Sequence, residues 1–343
     1  MRILHLAAGN RWTGAAAPAF AEVEALRAAG VDAHYAFVGG YKLQAKIEHH
    51  DFAHPVIEKA QNPMAFRRTL NALDRVIRHH GFDVLHAHLT YDHWLARMVA
   101  RDYDVRLART FHSRRVLRRD VFTRSLIRRT ELLFAVNEAF IGAPAFLSRE
   151  VTFTPPPVDH RQFSPEGPDA RSLYGIAPDA KVVTVIGKVA AERGFEEALR
   201  TFAVLRQSMP EVRMMIIGHG EHRPYLESLA RELAVEPVWA GYHEDDLAEH
   251  YRAANLLLFT ARGSDEGHRA VLEAMACGVP VASYPIEGVA ALIGADKVAG
   301  DATPEALAAL AASLLANPPS VYERSLAFGY EQAAERLVAA YSG

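Results

Sequence analysis

Four loops in the second half of this 343-residue chain gather glycine and charge: Gly187-Lys188-Val189-Ala190-Ala191-Glu192-Arg193-Gly194, Gly218-His219-Gly220, Gly241-Tyr242, and the stretch from Gly263 through Ser264, Asp265 and Glu266 to Gly267. Lys188 and Arg193 place two cations in one loop. The last loop runs into good helix formers, 269–276, closed by Gly278 two residues before Pro280. The first amides of such a helix, at Gly267, His268, Arg269 and Ala270, have no internal partner and carry partial positive charge. Two cations beside free amides suit a diphosphate. Glu273 is the one charged residue in 270–277. A carboxylate on an apolar face is costly unless hydrogen-bonded, and this one can take the two hydroxyls of a ribose. Asp265 precedes Glu273 by eight positions, so the loop acid and the helix acid can face one cleft. The plainer account is a capped helix with Arg269 and Glu273 paired at i, i+4.

The elements that must position these groups alternate strand and helix. Residues 2–8 form an apolar strand, followed by the small-residue loop 9–16 with Thr13 and Gly14, a helix over 18–29 and a strand over 31–38. That order opens a parallel doubly wound sheet, although the loop lacks the G-x-G-x-x-G dinucleotide fingerprint. A helix over 61–80 precedes strands over 82–88, 107–112, 132–136 and 151–154. Two of these strands end in histidine, His88 and His112, at the edge where open parallel sheets bind ligands. His86, alternating with His88, reads as a buried residue bonded within the core. The rigid run Pro155-Pro156-Pro157, with the loop 164–168, divides the chain into residues 1–160, 161–320 and a terminal helix within 321–343. In the second part, strands over 181–186, 212–217, 238–240, 256–259 and 281–283 alternate with helices, and 304–315 and 322–341 read as terminal helices.

Composition narrows the class. Half the residues are hydrophobic and 23% are charged, as in an ordinary globular protein. Cys277 is the sole cysteine, so no disulfide can form within the chain, and its apolar helix makes it a small buried hydrophobe. No signal peptide or membrane-spanning run is evident, and the histidines do not have metal-ligand spacing. The net charge of −3 conceals an asymmetry: residues 1–160 hold 22 Lys and Arg against 16 Asp and Glu. Eleven arginines, from Arg97 to Arg129, face Asp102, Asp104 and Asp120. Beside Val116, Leu117, Val121, Phe122, Leu126 and Ile127, they suit an anionic membrane surface, nucleic acid, an anionic substrate or a solvated helix face.

Taken together, these residues resemble the retaining GT-B glycosyltransferases of glycosyltransferase family four. V-L-E-A-M-A-C-G-V-P-V resembles the family's Glu-x7-Glu motif and the segment after it: Glu273 matches the ribose-binding second Glu, and the first Glu falls on Asp265, with Glu266 as the substitute for contact with the donor sugar. Gly187-Lys188-x4-Arg193-Gly194 resembles the family's G-R-x4-K-G with the cations exchanged. His88 matches the second His of an H-x-H strand end near the reacting sugar, His112 an A-T-F-H strand end, and Thr13-Gly14 the glycine turn near the phosphates. Gly218, Gly241 and Tyr242 are expected to border the nucleotide, Tyr242 near the base. Pro156-Pro157-Val158-Asp159 stands where the family has P-N-G-V-D, and Gly329-Tyr330-Glu331 resembles the segment that crosses back. The resemblance implies an α/β GT-B fold: two Rossmann-like doubly wound domains facing a central cleft, with a C-terminal helix returning to the first. It implies metal-independent, retaining transfer of a sugar from a nucleotide diphosphate sugar to a glycan or lipid-linked acceptor, in cell-envelope polysaccharide or glycoconjugate synthesis. No cofactor beyond that donor and no nucleic-acid partner are implied, and the location is cytoplasmic, peripheral on the inner face of the membrane. A GT-B sugar-nucleotide epimerase and a non-catalytic sugar-nucleotide-binding partner are the alternatives.

Overall fold

The computed structural model describes residues 1–9, 12, 14–59, 62–118, 120–261 and 267–343. The chain divides at Pro157/Val158 into two compact units, and Phe328–Gly343 belongs to the first.

The first unit is a seven-stranded, all-parallel sheet. Its strands are β1 (Arg2–Ala7), β2 (Asp32–Val38), β3 (Ala53–Ile57), β4 (Val84–Ala87), β5 (Arg106–Phe111), β6 (Leu132–Ala135) and β7 (Thr152–Phe153), in the order β3-β2-β1-β4-β5-β6-β7. The strands are apolar along nearly their whole length because helices cover both faces. Sequence punctuation sets the helices. In Pro63–His80, the Asn62 side chain accepts from the Ala65 amide, a proline occupies the first turn, and Gly81 closes the end with φ +67°. Ala65, Thr69, Leu73 and Ile77 form its inward stripe, each one turn from the next. Helix Ala16–Ala28 lies on the opposite face and packs against the last helix, Tyr330–Ser342.

The second unit holds β8 (Val182–Ile186), β9 (Arg213–Ile217), β10 (Val238–Gly241), β11 (Leu256–Phe259) and β12 (Val281–Ser283), parallel and ordered β10-β9-β8-β11-β12. Helices Phe195–Ser208 and Pro304–Ala316 pack together on one face over Val183, Val185, Met214, Ile216, Leu256 and Leu258. In each sheet the chain order reverses beside the first strand, between β1 and β4 and between β8 and β11. Such reversals open a crevice at the strands' carboxyl ends.

The structure departs from the sequence reading in several places. Strand β3 and helices Thr90–Val99 and Val121–Arg128 are additional. The expected helix over 322–341 is two helices, Tyr322–Leu326 and Tyr330–Ser342, because Gly329 adopts an extended backbone between them. Among the described residues, no helix is long and apolar enough to cross a membrane.

Glycine permits the closest approach in the second unit. A Cβ on Gly218 would sit 1.9 Å from the Gly187 carbonyl oxygen, and Gly218 itself has φ +138°. Gly218→Ala should therefore lose at least ~3 kcal/mol of unfolding free energy or fail to fold. Gly300→Ala, with nothing within 4 Å of the new methyl, should stay within ~0.5 kcal/mol by urea denaturation.

Candidate functional site

At the carboxyl edge of the second sheet the glycine loops lie backbone against backbone. Methyl groups on Gly220 and Gly194 would fall 2.0 Å from the Val189 carbonyl and 2.3 Å from the Thr260 carbonyl. The Gly218 amide donates to the Gly241 carbonyl at 2.6 Å, and Thr260 Oγ1 donates to the Gly194 carbonyl at 2.6 Å. The loops after β8, β9, β10 and β11 are thus one packed layer. Lys188 is exposed on it, 3.5 Å from Glu221 Oε1, an ion pair weak enough to exchange for a ligand's phosphate. Arg193 is half-buried and has no ion pair among the described residues. Gly194, with φ +78°, begins helix Phe195–Ser208. Tyr242, exposed at the end of β10, meets His219 edge to face at 5.4 Å and donates from its hydroxyl to Glu244. The sequence places His219 in a site loop, whereas Glu221 becomes a neighbour of Lys188 only through strand order.

Helix Arg269–Ala276 begins where the residues place it. His268 precedes it in the left-handed region, φ 52°, a backbone state that costs a non-glycine residue energy and concentrates at functional sites. Its Nε2 lies 3.0 Å from the Glu287 carbonyl, so that nitrogen carries the hydrogen. His268 does not cap the helix with its side chain, and no acid occupies the first turn of Arg269–Ala276. Glu273 is buried. Its Oε1 is 3.1 Å from Arg269 Nε, and its Oε2 accepts from the buried Tyr251 hydroxyl at 2.9 Å. The plain i, i+4 pair therefore exists. Cys277 is buried, and burial pushes its thiol up to about 12, which suits an inert hydrophobe. Gly187 and Gly267 are described at their expected places, whereas Thr13, Asp265 and Glu266 lie outside the described residues.

In the first unit the strand-end histidines form a stack. His5 on β1 is in register with His86 on β4, and His86 and His88 share a face. His88 is fully buried: its Nε2 lies 2.9 Å from His5 Nδ1 and its Nδ1 lies 3.0 Å from His112 Nε2. Both ring nitrogens of His88 are thus engaged by imidazoles, and His112, at the end of β5, is the half-buried outer member. His86 is held by the Tyr341 hydroxyl at 2.5 Å and the Thr110 hydroxyl at 2.7 Å. Gly14 has φ +64° and open space where a side chain would be. Asp92, which the sequence reading passed over, accepts from the amides of His88 and Leu89 and lies 4.0 Å from Arg109. Burial raises the Asp92 carboxyl to about 7 against the pull of Arg109. Arg109 corrects one expectation: it belongs to the arginine-rich segment by sequence but is buried and cannot contribute to a basic surface. Arg101, Arg114, Arg115, Arg118, Arg128 and Arg129 remain exposed, with Val121 and Phe122 among the most exposed large hydrophobic side chains. Arg119 lies outside the described residues. At the carboxyl ends of β2 and β3 an open depression of about 490 Å³ is lined by Gly39, Gly40, Tyr41, Gln44, Glu58 and Lys59.

Two parallel doubly wound units, glycine-packed strand ends and a last helix returned to the first unit define the GT-B class of fold. Residues 12–141 match the model of Glycosyltransferase Family 4 and residues 180–317 that of Glycosyl transferases group 1. The chain belongs to this family of glycosyltransferases. It is 29% identical over 212 residues to a D-inositol 3-phosphate glycosyltransferase of Segniliparus rotundus, an overlap of 56% of this chain and 47% of that protein. It is 33% identical over 140 residues to a GDP-mannose-dependent alpha-(1-6)-phosphatidylinositol monomannoside mannosyltransferase of Mycolicibacterium smegmatis, an overlap of 37% and 36%. The chain spans about half the length of the first of these relatives and less of the second. The crystal structure of Anabaena HepE in complex with UDP superposes with a TM-score of 0.81 over the full length of both chains at 16% identity, a likeness of fold.

The buried histidines set an acid limit. Burial holds His5 and His112 down at about 3 and His86, His88 and His93 well below the usual imidazole range. These groups stay neutral when folded and take protons near pH ~6.5 when unfolded, so their stabilisation is present above that pH and lost as pH falls. Glu22 and Asp92, raised to about 8 and about 7, take protons in the folded state and offset two of the five. Unfolding free energy of the chelator-treated protein should therefore fall by at least ~1.4 kcal/mol per pH unit from pH ~6 to ~4.5. Chemical denaturation at stepped pH checks this, and a flat profile would contradict the assignment.

Proposed function

We propose that this chain transfers a sugar from a nucleoside diphosphate sugar to a glycan or lipid-linked acceptor, with retention at the anomeric carbon. The observation that carries the reading is the glycine-packed layer of the second sheet, with Lys188, Arg193 and the first-turn amides of Arg269–Ala276 around it. A family-four relative whose name specifies GDP-mannose as donor supports it. Lys188 and Arg193 take the diphosphate and stabilise its charge as the bond to the sugar breaks; the acceptor hydroxyl oxygen attacks from the face the diphosphate leaves, and its proton passes to the departing phosphate oxygen. Positioning and fixed charge supply the acceleration. Glu273 takes the ribose hydroxyls, Tyr242 lies beside the base, and Asp265 or Glu266 contacts the donor sugar. His112 is the half-buried outer member of the first unit's histidine stack, with His88 behind it fixing its orientation. The depression beside Tyr41 and Lys59 is the acceptor's place on the first unit. Metal takes no part in the transfer step.

Lys188→Ala and Arg193→Ala should each lower turnover ~100-fold. Near-normal turnover in both would overturn the phosphate assignment. Glu273→Gln should weaken nucleotide affinity in calorimetry with little loss of thermal stability; unchanged affinity would remove Glu273 from the site. Product formed from the donor with no acceptor present would instead indicate an epimerase.

We also propose that the acceptor lies at an anionic membrane surface, which the exposed Val121 and Phe122 meet amid exposed arginines. The names of the two relatives, an inositol phosphate and a phosphatidylinositol mannoside enzyme, support an anionic acceptor. Flotation with vesicles rich in anionic lipid should carry the protein at low salt, and Val121→Ser with Phe122→Ser should release most of it. No flotation at low salt would dispose of the membrane reading.

A further inference from the structure

Glu22 lies on helix Ala16–Ala28 and points inward, fully enclosed at 1% exposure. Among the described residues, neither of its carboxyl oxygens has a hydrogen-bond partner. The Arg336 guanidinium acts on it through its charge, yet no hydrogen bond joins them. Protonating the acid would leave Oε1 without a partner and offer Oε2 only the ring nitrogens of His5 and His88, at 3.6 and 3.8 Å. A buried polar group left without partners is costly and calls for an explanation.

Three atoms surround one point. Glu22 Oε2 lies 3.6 Å from His5 Nδ1 and 3.8 Å from His88 Nε2, and those two nitrogens lie 2.9 Å apart. Ligand atoms bonded at 2.0–2.1 Å to a tetrahedral zinc-like ion are separated by about 3.3 Å, between the shorter edge of this triangle and its two longer ones. The outward nitrogens of both rings already have neighbours. His88 Nδ1 faces His112 Nε2 at 3.0 Å, and His5 Nε2 faces the Tyr341 hydroxyl at 3.4 Å. Imidazole ligands commonly donate their second N–H in this way, which fixes the tautomer. With His5 bound through Nδ1, its Nε2–H donates to Tyr341, whose hydroxyl donates on to His86 Nδ1. His86, within 4.8 Å of the other three, is already satisfied by two hydroxyls and serves as an outer neighbour.

We propose that His5, Glu22 and His88 bind a divalent transition-metal ion of the zinc class. Two imidazoles and one carboxylate form a mixed nitrogen and oxygen set suited to Zn²⁺, Co²⁺, Ni²⁺ or Fe²⁺ rather than to Ca²⁺ or Mg²⁺. The ion joins helix Ala16–Ala28 to strand β1 and to the residue just past β4. Its role is structural, and it does not depend on the sugar-transfer reading.

The full-length chain, purified without chelator, should contain close to one equivalent of such a metal by mass spectrometry. After chelation, added Zn²⁺ should raise the melting temperature by several degrees. Added Co²⁺ should give visible absorption bands of a four- or five-coordinate site. Glu22→Gln and His5→Asn should abolish both responses, and Tyr341→Phe should weaken Co²⁺ affinity ~10–100-fold. Histidine groups at His34, His54 and His80 and at His243, Asp246 and His250 provide the control, since His54→Ala with His243→Ala should leave the responses unchanged. Metal-free protein with no response to Zn²⁺ or Co²⁺ would overturn the proposal. So would binding that survives Glu22→Gln and disappears in the control variant. Should Glu22→Gln not fold, the wild-type stoichiometry and Co²⁺ spectrum decide alone.

Discussion

The architecture of the second unit depends on main chain touching main chain at one edge of its sheet. Gly194, Gly218 and Gly220 let the loops approach main chain to main chain, and Thr260 Oγ1 bonds the Gly194 carbonyl across one of the contacts. The layer presents amides and carbonyls, with Lys188 and Arg193 in the loop after β8. Side chains at those positions would push the loops apart and spread the same groups over a wider area. The glycines are therefore spacing devices first, and a shallow shelf for charged oxygen atoms is the result. Helix Arg269–Ala276 adds amides in its first turn, and the left-handed backbone of His268 turns the chain into that helix.

The first unit solves a different problem at the corresponding edge. Its switch between β1 and β4 is filled with rings: His5, His86 and His88 stack with centroids 4.6–5.1 Å apart. Each ring must keep an unprotonated nitrogen, and burial enforces this. Thr110, Tyr341 and His112 supply polar atoms around the stack, and Glu22 closes it from the helix side. A polar core of this kind makes one arrangement of strands and helices cheaper than its alternatives, because any slip would leave nitrogen atoms buried without partners.

The elements of the second unit were largely legible in the residues. Phe195–Ser208, Leu256–Phe259, Arg269–Ala276 and Val281–Ser283 carry clear periods and end at Gly, Pro or a charged turn. Strand β3 was not legible, since His54 and Pro55 interrupt its apolar pattern at the sheet edge. The break at Gly329 was hidden because a single glycine does not forbid a helix. Charge counted along the chain misjudged Arg109, whose side of β5 is decided by packing. His88 and His112 were legible as strand ends, but not the fact that His88 is enclosed. His5 reads as an ordinary residue of an apolar strand, and only cross-strand register joins it to His86. Glu22 reads as one more surface acid on Ala16–Ala28, until the last helix covers that side.

Tyr341 is bonded to His86 and its main-chain carbonyl accepts from Arg106, while the Tyr330 hydroxyl donates to Glu24. The residues that finish the first unit's interior are thus separated from the rest of it by the entire second unit. During synthesis on the ribosome, the early strands emerge long before their covering helix does. The first unit must wait in an incomplete form, its ring stack open on one side, until the second has been made. Order of manufacture and order of completion are therefore inverted in this chain: the half begun first is the half sealed last.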